Sequence, residues 1–254
     1  MGRLENKIAI ITGGNSGIGE ATARLFAQEG ATVVITARRK GELQRVQQEI
    51  QAAGGICDYI PGDVRVSEDV NNVAEKTIEK YGRIDILVNN AGIPDCHLPA
   101  VRLTDEFMEE VLDTDLKGVI RFCRAVLPHM EEAGRGSIVN IASIGGVYAC
   151  AGASYSAAKA GVLALTKNLA IQYFGRGIRI NSVSPGGTDT PLFQSPSMAL
   201  ADQEMVAITA QHHVHPIDHM LSAKEQAYAI LFLASDEASG INGENLTVDY
   251  GGRL

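Results

Sequence analysis

Positive charge is in short supply in this chain. Its 22 lysines and arginines face 30 aspartates and glutamates, for a net charge of −8. No basic cluster is long enough to hold nucleic acid or an anionic membrane surface, so both classes of partner are excluded. Cysteine is sparse too. Cys57, Cys96, Cys123 and Cys150 are scattered, without the paired spacing of a metal site, and read as the reduced thiols of a cytosolic protein. Long apolar runs are missing, and none approaches the roughly eighteen residues of a membrane span. Met1-Gly2-Arg3-Leu4-Glu5-Asn6 has no apolar signal core, and Asn6 lacks the hydroxyl of a myristoylation motif. A soluble, cytoplasmic protein is expected. There is no internal repeat, low-complexity stretch or linker, and 254 residues suit one large α/β domain over residues 1–254.

What is present is a regular alternation. Short apolar runs read as strands at Lys7–Ile11, Thr32–Thr36, Cys57–Pro61, Ile84–Asn89, Gly136–Ser143, Ile178–Ser184 and Asn245–Val248. Between them lie helical patterns at Gly17–Glu29, Lys40–Ala53, Ser67–Tyr81, Thr104–Glu132, Ser154–Phe174 and Ala223–Leu233. Ser67 and Thr104 are the expected N-caps, and Gly30 and Gly54 the expected helix stops. Strand–helix alternation predicts a doubly wound parallel sheet with helices on both faces, a Rossmann fold that binds ligands at the carboxyl ends of its strands. The one long irregular stretch, about 188–221, contains Pro191, Pro196 and Pro216 and reads as a substrate lid.

The chemistry-bearing residues fall at those strand ends. After the first strand comes Thr12-Gly13-Gly14-Asn15-Ser16-Gly17-Ile18-Gly19, a glycine turn opening a helix. Such a turn lets backbone approach a pyrophosphate and aims amides and a partial positive charge at it. After the second strand, Ala37-Arg38-Arg39-Lys40 stands where an acidic residue would bind the ribose 2′-hydroxyl of NAD. Arginine pairs with a 2′-phosphate, so Arg38 and Arg39 favour NADP(H), with NAD(H) as the alternative. Asp63 and Val64 are placed to cap an adenine, and Asn89-Asn90-Ala91-Gly92 to pass close under a ribose. Tyr155 and Lys159 share a helix face at i and i+4, where the ammonium would favour the phenolate and bring Tyr155 toward neutral pH.

These motifs, in this order, resemble the short-chain dehydrogenase/reductase family in its compact single-domain branch. The resemblance rests on Thr12-Gly13-x-x-x-Gly17-x-Gly19, Asn89-Asn90-Ala91-Gly92, Ser143, Tyr155-x-x-x-Lys159, Pro185-Gly186 and a terminal Leu246-Thr247-Val248-Asp249. It implies an oxidoreductase that interconverts a secondary alcohol and a ketone. By that resemblance Tyr155 is the general acid or base, Ser143 holds the carbonyl oxygen and Lys159 grips the nicotinamide ribose. Pro185, Gly186, Thr188 and Thr190 lie at the nicotinamide end. Pocket walls come from Ile93, Pro94, Asp95 and Cys96, from Gly145, Val147, Tyr148 and Cys150, and from Leu192 and Phe193. A homotetramer or homodimer is implied, built through the long helices and the last strand.

One position departs from the family. Asp115-Leu116-Lys117-Gly118 stands where Asn-x-x-Gly is usual, and that asparagine helps hold a water on the lysine. Asp115 either preserves that relay, leaves a backbone acceptor without its donor, or pairs with Lys159 and weakens its effect on Tyr155. Two other functions stay open. A 3-oxoacyl-[acyl-carrier-protein] reductase needs a basic docking face, but this chain has Pro128-His129-Met130-Glu131-Glu132 and Leu169-Ala170-Ile171-Gln172 there. A non-catalytic cofactor-binding sensor would be favoured by Asp115 and opposed by the intact Ser143, Tyr155 and Lys159. His212, His213, His215 and His219 are read as substrate or subunit contacts, and no metal is expected.

Overall fold

The computed structural model describes residues 2–192, 201–211 and 220–252. Seven parallel strands form one sheet in the order β3-β2-β1-β4-β5-β6-β9: β1 (Ile8–Thr12), β2 (Thr32–Thr36), β3 (Ile56–Tyr59), β4 (Ile86–Asn89), β5 (Gly136–Ile141), β6 (Ile178–Pro185) and β9 (Asn245–Val248). Alternate residues on each central strand feed opposite faces, as the pleat requires. Ala9 and Ile11, Val33 and Ile35, Ile86 and Val88, and Val139 and Ile141 join α1 (Gly17–Gln28), α2 (Lys40–Ala52) and α9 (Ala223–Ala234) in one core. Ile10, Val34, Leu87, Ile138 and Ile180 join α3 (Ser67–Tyr81), α5 (Gly118–Ala133) and α7 (Ala153–Gln172) in the other. Both faces are covered, which explains why the strands read as continuous apolar runs. The winding reverses between β3 and β4, so a crevice opens where β1 and β4 end.

Element boundaries shift by one or two residues from the sequence expectation, and some features differ in kind. Ser67 is the first helical residue, not the cap. Val66 occupies the cap position with extended backbone, and Asp69 turns back to accept from Asp63 N–H (2.8 Å). Thr104 does cap its helix, accepting from Phe107 N–H (3.2 Å). That helix is not continuous, however. α4 (Asp105–Leu112) passes through a π turn, Asp113–Lys117, before α5 begins. Such a turn widens one helical loop and commonly marks a functional position, and here it carries Asp115.

The stretch expected to be irregular is partly ordered. β7 (Thr188–Asp189) pairs with β8 (Leu221–Ser222), and α8 (Gln203–Gln211) lies between them in the chain. Asp202 accepts from Met205 N–H (3.0 Å) at the start of α8. Among the described residues no helix is long and apolar enough to cross a membrane.

Candidate active site

The crevice is a cleft of about 1020 Å³ that runs from Arg38 and Arg39 at one end to Ser143, Tyr155 and Lys159 at the other. Its floor is the glycine turn. Gly13 and Gly17 adopt left-handed backbone, with φ of +64° and +56°, a region that side chains bearing a Cβ rarely enter. A methyl at Gly19 would overlap the Gly13 carbonyl and the Asn90 amide, so only glycine fits this approach. Asn90 braces the turn: its Nδ2 donates to Thr12 O (2.9 Å) and Gly13 O (3.3 Å). In return Thr12 Oγ1 accepts from the backbone amides of Asn90 and Ala91, each at 2.9 Å. Asn89 reaches sideways instead, donating to Asn140 Oδ1 on β5 (2.9 Å).

This cradle fits a nicotinamide dinucleotide. The first turn of α1 presents unpaired amides to the cleft, as an anion at a helix start requires. Asn15, Ser16, Gly17 and Ile18 line that part, followed by Asp63, Val64, Asn90, Ala91 and Gly92. Arg38 and Arg39 are exposed at the rim. With its amide oxygen turned toward α2, the buried Asn15 accepts from Arg39 Nη2 (2.8 Å) and Nε (3.2 Å), holding that guanidinium over the cleft. Asp63 is already engaged by Arg65 (2.7 Å). Burial raises the Asp63 carboxyl, but the Arg65 hydrogen bonds and charge outweigh it, with help from Arg38, and hold it below the usual carboxylate range.

Ser143, Tyr155 and Lys159, the catalytic candidates, line the same cleft. Ser143 has extended backbone and caps α6 (Ile144–Tyr148), its Oγ accepting from Gly145 N–H (3.0 Å). Lys159 is buried on α7 and donates to Ile141 O (3.0 Å), with its Nζ 5.5 Å from the centre of the Tyr155 ring. Of the outcomes open for Asp115, the structure takes the last. Asp115 Oδ2 lies 3.3 Å from Lys159 Nζ, both side chains being buried, and Oδ1 accepts from Ile93 N–H (2.8 Å). Oδ2 has no aligned hydrogen bond, so this is an ion pair with a spare acceptor. The pair packs on Gly92, where a Cβ would sit 2.9 Å from Asp115 Oδ2.

The expected titration of Tyr155 is corrected, chiefly by burial and then by that pairing. Burial pushes the phenol up, Lys159 pulls it down, and Asp115 pushes it up again. A hydrogen bond with Ser143 favours the phenolate and Asp95 opposes it, and the net shift is upward from the ordinary tyrosine value. The lysine alone would have lowered it, but two carboxylates and burial outweigh one ammonium. Asp115 is itself raised by burial, against the pull of Lys159 and the Ile93 amide. For Lys159, burial favours the neutral form, yet Asp115 and Tyr155 raise it overall and keep it a cation.

Other expectations fare unevenly. Ile93, Pro94, Asp95, Cys96, Gly145, Cys150, Pro185, Gly186, Thr188, Thr190 and Leu192 line the cleft. Val147 and Tyr148 do not: the single turn of α6 carries them out of the lining, and Tyr148 is 39% exposed. Phe193 and His212, His213, His215 and His219 lie outside the described residues. Thr188 lines the cleft, but its hydroxyl already donates to Gly186 O (2.9 Å) and accepts from Gln226 Nε2 (3.2 Å). Sequence reasoning missed His97, Phe107, Glu110 and Thr114 in the cleft wall, since no motif marks them.

Comparison with known proteins agrees with this geometry. The family model described as enoyl-(acyl carrier protein) reductase matches residues 13–252. The 3-oxoacyl-[acyl-carrier-protein] reductase FabG of Thermotoga maritima is 41% identical, with 98% of each chain covered. The cis-4-hydroxycyclohexanecarboxylate dehydrogenase of Sinomonas cyclohexanicum is 40% identical, with 96% of each covered. Among solved structures, levodione reductase superposes with a TM-score of 0.89 at 34% identity, again with 98% of each chain covered. With its parallel sheet, glycine turn and Ser143–Tyr155–Lys159 constellation, the chain belongs to the short-chain dehydrogenase/reductase family and is an oxidoreductase of the kind that uses a nicotinamide cofactor.

Proposed function

We propose that this protein is an NADP(H)-dependent reductase of secondary ketones, working reversibly as an alcohol dehydrogenase. The observation that carries this reading is one cleft lined by Ser143, Tyr155 and Lys159 at one end and by Arg38 and Arg39 at the other. The bound cofactor would supply the hydride. Tyr155 donates a proton to the carbonyl oxygen in reduction and takes it back in oxidation. Ser143 would fix that oxygen, and Lys159, anchored by Ile141 O, would hold the ribose hydroxyls. A phenol held protonated suits the reductive direction. Leu192, Ile93, Cys150 and Ala151 give the substrate end an apolar lining suited to a medium-sized ring or chain.

The cofactor preference rests on Arg38 and Arg39. Arg38→Ala is expected to raise KM for NADPH by about tenfold or more, the worth of one charge-assisted hydrogen bond. KM for NADH should change by less than about twofold, because NADH has no 2′-phosphate to lose contact with. Steady-state kinetics with both cofactors checks this, and an equal effect on both would refute 2′-phosphate binding by Arg38.

A second reading, 3-oxoacyl-[acyl-carrier-protein] reduction, is favoured by the likeness to the Thermotoga maritima enzyme. It is opposed by the net charge of −8 and by the exposed Glu132 on α5, which would repel an acidic carrier. NADPH oxidation on acetoacetyl-[acyl-carrier-protein], 4-oxocyclohexanecarboxylate and levodione separates the readings. Turnover of the free ketones supports ours, and turnover of the carrier substrate alone replaces it. Cofactor binding without any turnover favours a sensor. We further propose a cytoplasmic homotetramer or homodimer. Ile171 and Phe174, 76% and 81% exposed at the end of α7, are its contact surface, and light scattering would measure the subunit number.

A further inference from the structure

α7 brings Tyr155 to the cleft, yet it has no cap of its own. Its cap position is Gly152, which has no side chain to accept from the first-turn amides. The acceptor comes from another part of the chain. Asp95, 3% exposed, places Oδ2 at 2.8 Å from Tyr155 N–H and 3.5 Å from the Ser154 hydroxyl. Its Oδ1 accepts from His97 N–H (3.2 Å). Gly152 packs so closely on this carboxylate that a methyl group there would overlap it. The loop that delivers Asp95 is unusual as well. Cys96 and His97 both have left-handed backbone, with φ of +59° and +49°, conformations that cost free energy in residues with a Cβ. Cys96 O accepts from Asp202 N–H (3.1 Å) at the head of α8, and Asp202 also pairs with Arg102.

We infer that Asp95 is a positioning residue for catalysis: it fixes Tyr155 by capping α7 from outside that helix, and it ties that position to α8 through the backbone of Cys96. The inference rests on Tyr155 as the proton donor. A negative charge at a helix start also complements the helix dipole, so the cap gains from being a carboxylate. The charged groups acting on Tyr155 are Lys159 on its own helix, Asp115 on the π turn and Asp95 on this loop, with the uncharged Ser143 hydroxyl beside them.

The test compares Asp95→Ala, Asp95→Asn, Gly152→Ala and Tyr155→Phe, using NADPH and the fastest ketone of the three above. Asp95→Ala is expected to lower kcat by about a hundredfold, the scale of a misplaced catalytic group. Its Kd for NADPH, read from nucleotide fluorescence, should stay within about twofold, since Asp95 does not brace the glycine turn. Asp95→Asn keeps an acceptor for Tyr155 N–H and should recover kcat to within about fivefold of the native enzyme. Because it loses a negative charge facing the phenol, its oxidation profile should also move to lower pH, a shift that no purely structural role produces. Gly152→Ala displaces the carboxylate by a second route and should mimic Asp95→Ala, so a failure of one variant to fold leaves the other to decide. Full kcat in Asp95→Ala beside an inactive Tyr155→Phe overturns this inference alone. An active Tyr155→Phe overturns both it and the proton-donor assignment. Loss of kcat, NADPH affinity and thermal stability together, without recovery in Asp95→Asn, also overturns it, by showing a structural role only.

Discussion

Tyr155→Phe is expected to lower kcat by about 10²–10⁴-fold, the contribution of one positioned proton donor. Only the hydroxyl is removed. The ring keeps its place, because the backbone of residue 155 is held by Asp95 at 2.8 Å and not by the phenol. The cradle for the cofactor lies on β1, α1 and β4 and does not touch that hydroxyl, so Kd for NADPH should hold within about twofold. The loss therefore falls on kcat and on kcat/KM for the ketone together. Single-turnover oxidation of bound NADPH measures it without interference from product release. Native rates in the variant would remove Tyr155 as the acid and leave Ser143 as the remaining hydroxyl of the constellation.

The largest effect on stability is expected from Lys159→Met. The substitution conserves volume but leaves Asp115 buried with no counter-charge. Breaking a buried pair from one side typically costs about 3–5 kcal/mol. For a chain of this size that corresponds to a fall in Tm of about 10 °C. Adding Asp115→Asn to the same chain should restore most of the loss, because the uncompensated charge goes with it. The cost should also depend on pH in a defined direction. The Asp115 carboxyl is raised in the folded protein, so the fold binds that proton more tightly than the unfolded chain does. Stability then falls as pH rises from the ordinary carboxylate value of about 4 toward the folded value. The Lys159→Met deficit should accordingly be smallest near pH 4 and grow as pH rises. Thermal melts of the four chains across that range form the double-mutant cycle, and a deficit independent of pH would show that cavity formation dominates. Asp115→Asn alone removes a charge that pushes the Tyr155 phenol up. Its alcohol-oxidation profile should move to lower pH.

How much of this was legible in the sequence depended on separation along the chain. The sheet could be read because each strand is a short apolar run between helical patterns, and both of its faces are buried. The glycine turn, Ser143, Tyr155 and Lys159 could be read because each motif is local. The titration of Tyr155 could be read only in part: Asp115 was visible as a possible partner of Lys159, but the burial that raises the phenol most, and the approach of Asp95 from 60 positions upstream, arise only through folding. The π turn at Asp113–Lys117 left no sign either: its residues continue a helical pattern, and the break is visible only in the backbone. Ser67 misled because a good capping residue stood one place inside the helix, with Asp69 doing related work from its first turn. Tyr148 misled because a motif places a residue near a strand end but does not say which way a one-turn helix will carry it.

The clasp between Thr12 and Asn90 joins residues 78 positions apart. Bringing such distant segments together is slow, because the loop between them must close before any contact rewards it. β1, the glycine turn and α1 are neighbours in the chain and can form early, yet without Asn90 the turn lacks its brace. In refolding, capture of the nucleotide therefore reports the docking of β4 onto β1, and the fluorescence of the bound cofactor serves as a clock for completion of the sheet, not for the birth of the motif that binds it.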